Sequence, residues 1–133
     1  MITAVDTSVL LDVFAAQADY LARSQIALRR CLQQGSLIVC EVVVAELRPC
    51  FARNEELLSA LSTIDAEFSP LSRDEALLAG EAWQKYRRAG GKRNHLIPDF
   101  LVAAHAQVSA ERLLTRDRGF YKRWFRDLNI LAP

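Results

Sequence analysis

Apolar residues along this chain alternate between two rhythms. Compact β-prone runs, Ile2-Thr3-Ala4-Val5 and Leu37-Ile38-Val39 among them, are separated by stretches in which apolar residues recur at i, i+3 and i+4. The first run ends at Asp6-Thr7-Ser8, and Val9, Leu10, Val13 and Phe14 then follow at helical spacing. A second helix spans Tyr20 to Gln34 through Leu21, Leu28, Cys31 and Leu32, with Gly35 as its stop. Val42-Val43-Val44 is β-branched, yet Val43, Leu47 and Cys50 or Phe51 keep the helical period, so this stretch reads as a helix kinked or restarted at Pro49.

Leu57, Leu58, Leu61 and Ile64 mark a further helix, and Phe68 to Leu71 a short third strand. Ser72 and Glu75 then make a capping box. The helix they open carries Ala76, Ala79, Gly80, Trp83 and Tyr86 or Arg87 along one side, and Gly90-Gly91 ends it. Ile97-Pro98-Asp99 opens a nearly all-apolar helix through Ala106. Leu113-Leu114-Thr115 is a fourth strand, Gly119 to Phe125 a basic-aromatic helix, and Leu128 to Leu131 a fifth strand. Strand and helix alternate throughout, which predicts an α/β fold with a parallel sheet covered on both faces.

Length bounds this picture: 133 residues suit a single domain, 1–133, that buries roughly two-thirds of the surface of its unfolded chain. No charge-free stretch approaches the ~20 residues of a membrane span, and no basic leader precedes Asp6, so a soluble cytoplasmic protein is expected. Cys31, Cys40 and Cys50 are odd in number and widely spaced, which disfavours a disulfide framework or a structural zinc site.

The net charge of +1 is uninformative, but its distribution is not. Lys85, Arg87, Arg88, Lys92 and Arg93 form one group, and Arg116, Arg118, Lys122, Arg123 and Arg126 form another; together they hold ten of the 17 basic residues. Two solvated helix faces are the plain explanation, and an anionic substrate the functional one.

Four acids occupy places where an α/β sheet binds ligands. Asp6 and Asp117 each follow a predicted strand, Asp99 lies in the first turn of the most apolar helix, and Glu46 lies in the helix after the second strand. Taken singly, Asp6 and Asp117 read equally well as helix caps, Asp99 as a dipole partner and Glu46 as a surface residue. Convergence would be costly: two carboxylates ~5 Å apart at an effective dielectric of ~20 repel by roughly 3 kcal/mol. A cluster therefore requires raised pKa values or a cation, and an all-oxygen set suits Mg²⁺ or Mn²⁺.

In sequence these residues resemble the signature of PIN-domain nucleases, most closely VapC-type toxins. The matching segments, in order, are the strand ending in Asp6-Thr7-Ser8, Val44-Ala45-Glu46-Leu47, Pro98-Asp99-Phe100 through Ala106, and Leu114-Thr115-Arg116-Asp117-Arg118-Gly119-Phe120. Cys40-Glu41 departs from the Ser or Thr usual at the start of the glutamate's helix.

The resemblance implies a three-layer α/β/α sandwich with a mostly parallel sheet and an endoribonuclease that hydrolyses RNA with metal-activated water. It assigns Asp6, Glu46, Asp99 and Asp117 to the catalytic site, with Asp6, Asp99 and Asp117 on Mg²⁺ (Mn²⁺ possible). Ser8 and Thr115 become supporting hydroxyls, and Arg116 and Arg118, flanking Asp117, candidates for the RNA backbone. It further implies a homodimer and a VapB-like antitoxin partner.

Two rival readings differ in class. A phosphoaspartyl phosphatase would need a second Asp where Ser8 stands, and a PIN-like RNA-binding module without catalysis would not need all four acids. His105, six residues past Asp99, points away from it on a helix and reads as a core residue, whereas His95 reads as a loop residue on the basic approach. Trp124 and Phe125 read as core first and as base-stacking platforms second.

Overall fold

A computed structural model describes residues 1–92 and 95–133. Arg93, one of the first basic group, lies outside the described residues. Five strands form one sheet: β1 (Ile2–Val5), β2 (Ser36–Val39), β3 (Ala66–Phe68), β4 (Arg112–Leu114) and β5 (Ile130–Leu131). Their order is β3-β2-β1-β4-β5, and every neighbouring pair is parallel. Helices α1 (Thr7–Phe14), α2 (Leu21–Gln34), α3 (Glu41–Leu47), α4 (Asn54–Thr63), α5 (Arg73–Arg88), α6 (Ile97–Ser109) and α7 (Arg118–Trp124) complete a three-layer α/β/α architecture.

From the central β1 the chain builds outward to β2 and β3, then crosses to β4 and β5 on the other side. The strand order thus reverses between β1 and β4, where carboxyl ends of strands leave a crevice. Val5 pairs with Leu114 in register, so Asp6 and Thr115 emerge side by side at that crevice. The Asp6 amide extends the ladder by donating to the Leu114 carbonyl at 2.9 Å.

The buried residues explain this order. Val5, Leu37, Leu113 and Leu114 of the inner strands are 0–1 % exposed, as befits a parallel sheet covered on both faces. Along α6, Phe100, Val102, Ala103, Ala104 and Ala106 are all buried, which fixes the helix that begins just before Asp99. Gly35 lets α2 turn into β2 because a Cβ there would overlap the Met1 carbonyl.

Three expectations shift. The third strand is Ala66–Phe68 and not Phe68–Leu71: Ser69 N still donates to Val39 O at 2.8 Å, but Pro70 has no amide and the Glu41 carboxylate takes that of Leu71. The fifth strand shrinks to Ile130–Leu131, since Leu128 N closes a turn onto Phe125 O. Finally, α5 buries Ala79 and Tyr86 as predicted, but Glu75 and Ala82 complete its buried face in place of Ala76, Gly80 and Trp83. The β-branched Val42–Val44 run is helical as read, with a single 3₁₀ turn at Arg48–Cys50 around Pro49.

Candidate functional site

Asp6 sits where β1 gives way to α1, in the N-cap position, yet its side chain makes no capping bond. Its Oδ2 instead accepts from Thr115 Oγ1 at 2.6 Å and from Ser8 Oγ at 3.2 Å. Asp117 likewise occupies the N-cap position of α7 without capping it. Its amide donates to Thr115 Oγ1 at 3.0 Å, and its Oδ2 lies 2.8 Å from His95 Nε2. Neither carboxylate therefore makes the capping bond that the plain reading offered it.

Asp99 does serve its helix, accepting from Leu96 N at 3.2 Å, while lying only partly buried. Glu46, exposed on α3, accepts from Thr7 Oγ1 at 2.8 Å and so is drawn to the residue next to Asp6. Cys40 takes the N-cap position of α3 without a side-chain bond, and Glu41 at its first turn supplies negative charge to the helix start.

Electrostatics ties the four together. Burial pushes the Asp6 carboxyl up to about 6; the Thr115 and Ser8 hydroxyls oppose this, and Asp99 adds to it. Asp99 is raised first by burial, with Leu96 N and His95 opposing, and with Glu46 and Asp117 adding repulsion. The buried Tyr121 hydroxyl lies within electrostatic reach of all four: burial raises its pKa most, then Asp6, Asp99, Asp117 and Glu46 in turn. Four acids from four separate segments thus surround one end of the sheet.

Among the described residues, no three His, Cys, Asp or Glu side chains form a ready-made metal cage. Hydroxyls and an imidazole hold the carboxylates of Asp6, Glu46 and Asp117 individually. Such an open, hydroxyl-lined set of oxygens fits Mg²⁺, which keeps most of its waters and takes few direct carboxylates.

Beside Asp117 opens a cleft of about 420 Å³ whose lining includes Lys92, His95, Arg123 and Trp124. One residue of each basic group, Lys92 and Arg123, thereby shares this cleft with Asp117. Arg118 begins α7 and is exposed. Arg116 is placed differently: its Nε lies 3.0 Å from Asp12 Oδ2, and its guanidinium stands 4.2 Å from the centre of the Tyr20 ring. Phe125 is core, and Trp124 packs against Tyr86 at 5.1 Å between ring centres.

His105 is a core residue as read, whereas His95 is more than a solvated loop residue. His95 stacks on Phe120 at 3.8 Å as well as touching Asp117. His105 is buried, with Nε2 3.0 Å from Ser69 Oγ. Sequence reading missed Thr7, Tyr121 and the Asp12–Arg116 pair. Tyr121 was recoverable, lying one helical turn after Asp117; the Thr7–Glu46 bond joins residues 39 apart and leaves no local signal.

An α/β/α sheet with acids gathered at its switch point defines the class. Residues 3–124 match the PIN domain, and the chain belongs to that family. No curated protein matches the sequence significantly. Among solved structures it is similar to a chain of the complex described as VapBC2 from Rickettsia felis bound to a DNA fragment from their promoter (TM-score 0.77, 20 % identity, 99 % of this chain and 98 % of that one). A chain of VapBC-1 from nontypeable Haemophilus influenzae is comparably similar (TM-score 0.73, 18 % identity, 99 % and 98 %). So is a chain of FitAB bound to IR36 DNA (TM-score 0.72, 19 % identity, 100 % and 95 %). These likenesses establish a shared fold across the whole length. No helix among the described residues is long and apolar enough to cross a membrane.

Proposed function

We propose that this chain is a Mg²⁺-dependent endoribonuclease, the toxin of a VapBC-type toxin–antitoxin module. One observation carries the reading: at the carboxyl edge of the sheet Thr115 joins Asp6 to Asp117, and Thr7, next to Asp6, holds Glu46. Membership of the PIN family and full-length likeness to chains of VapBC complexes support it.

Asp6, Asp99 and Asp117 would hold the ion, Mg²⁺ or alternatively Mn²⁺. When bound, it lowers the pKa of a water and neutralises charge on phosphate oxygens. The chain's own residues prepare this. Thr115 and Ser8 orient Asp6, Thr115 anchors the turn bearing Asp117, and Thr7 orients Glu46. Glu46, exposed on α3, directs the attacking water and accepts its proton. Arg118, Lys92 and Arg123 contact the RNA backbone beside the site.

The partners follow from the same reading: RNA as substrate, a VapB-like antitoxin that silences it, and a second copy of the chain in a homodimer, all in the cytoplasm. Inducing the wild type and Asp6→Asn in cells and sequencing RNA 5′ ends tests the function. Growth arrest with defined cuts in the wild type alone is the expected result; identical RNA ends from both would refute it.

A further inference from the structure

Asp12 and Arg116 lie outside the four-acid set, yet they form one of the most buried charged contacts in the protein. The Asp12 side chain on α1 has no accessible surface. Its Oδ2 accepts from Ser24 Oγ of α2 at 2.7 Å and meets Arg116 Nε at 3.0 Å, while Oδ1 has no hydrogen-bond partner among the described residues. A buried carboxylate left without a cation is strongly destabilising, so this one holds its arginine firmly. The face of Tyr20 covers the guanidinium from the other side, a cation–π contact at 4.2 Å. Arg116 Nε is thereby committed to Asp12, while the arginine side chain keeps 33 % of its surface exposed.

Its backbone leads elsewhere. Arg116 N donates to Ser8 Oγ at 3.4 Å, and Ser8 Oγ in turn donates to Asp6. Thr115 on one side bonds Asp6, and Asp117 on the other bonds Thr115. Thr115 and Arg116 are thus tied to α1 and the turn before it, Asp117 is tied to Thr115, and the Asp12 end of the Asp12–Arg116 pair is buried. Asp117, half exposed at its side chain, depends on this turn for its place.

We propose that Asp12 and Arg116 are positioning residues that set the Thr115–Asp117 turn for divalent-ion binding, a role that rests on the nuclease reading above. The ion tolerates little error in where its carboxylates stand, and loss of residues that orient ligands typically costs about 10–100-fold in metal affinity.

The test compares Asp12→Asn, Arg116→Gln and the double variant. The double variant removes both charges, so no unpaired charge is left buried and the fold is retained. Three readouts are taken: Mn²⁺ binding by calorimetry without RNA, affinity for a single-stranded RNA oligonucleotide in EDTA, and the Asp117 amide resonance in metal-free protein. The expected result is a displaced Asp117 resonance, Mn²⁺ binding weakened ~10-fold or more, and RNA affinity in EDTA unchanged within about twofold. An unmoved resonance with unchanged Mn²⁺ affinity in the folded double variant overturns the proposal. So does RNA affinity that falls, with a shallower salt dependence, in Arg116→Gln but not in Asp12→Asn, because Arg116 would then be a phosphate contact. Should the wild type bind no Mn²⁺ and cut no RNA, the nuclease reading fails, and the Asp117 resonance alone decides whether the pair sets the turn.

Discussion

Thr115 Oγ1 donates to Asp6 Oδ2 at 2.6 Å across 109 residues of sequence, and the same oxygen accepts the Asp117 amide at 3.0 Å. One buried hydroxyl therefore links two of the acids and opposes the rise of the Asp6 pKa. Thr115→Val keeps the shape and removes both bonds. Asp6 should then titrate above about 6, and the pH at which RNA cleavage is half-maximal should move upward. Cleavage at pH 7 is expected to fall ~10-fold, consistent with the loss of one orienting hydrogen bond; a pH–rate profile of the two proteins checks it.

Asp6 itself should make the metal-free protein less stable as pH rises. Its folded pKa, about 6, lies above the ordinary 3.8, so the native state binds the extra proton between these values. Stability from this group is complete below pH 4 and is lost as pH rises through 6; two pKa units correspond to ~3 kcal/mol. Urea unfolding in EDTA should show Asp6→Asn gaining on the wild type from pH 4 to pH 7. Equal stabilities at both pH values would exclude a strained carboxylate.

His105 carries the opposite sign. Burial lowers its pKa, with the Glu75 and Glu41 charges opposing, so the folded protein holds the neutral ring. That contribution is intact above the ordinary value of 6.5 and is lost as pH falls below it, where the unfolded chain takes up the proton. His105→Gln, which can still meet Ser69, should flatten this acid-side loss in thermal melts. It should leave Mg²⁺-dependent cleavage unchanged.

Arg118, unlike Arg116, has no acidic partner within salt-bridge distance among the described residues. Arg118→Ala should weaken RNA binding without regard to sequence and reduce the slope of log affinity against log salt by ~0.7, the value for one phosphate contact on a single strand. An unchanged slope in a fluorescence titration would remove it from the RNA path.

The elements were legible wherever one local cause fixed them. Ser72 and Glu75 announced the start of α5, and both halves of the capping box are formed. The Asp6 strand-end and the Pro98-Asp99 helix start were legible because turn and cap chemistry is local. The buried face of α5 was not: Glu75 is 2 % exposed because Ser109 of α6 donates to it, a contact that periodicity cannot register. Nor could Arg116 be paired with its acid from sequence, for the same reason. Its neighbour Asp117 suggested a phosphate, whereas its partner Asp12 lies 104 residues away on α1.

The gathering of acids into a cation site is tested most directly by titrating the purified, RNA-free protein with Mn²⁺ in a calorimeter. Saturable binding in the wild type, weakened ~10-fold or more by Asp6→Asn and by Asp99→Asn, is the predicted result. Equal Mn²⁺ affinity in all three proteins would contradict it.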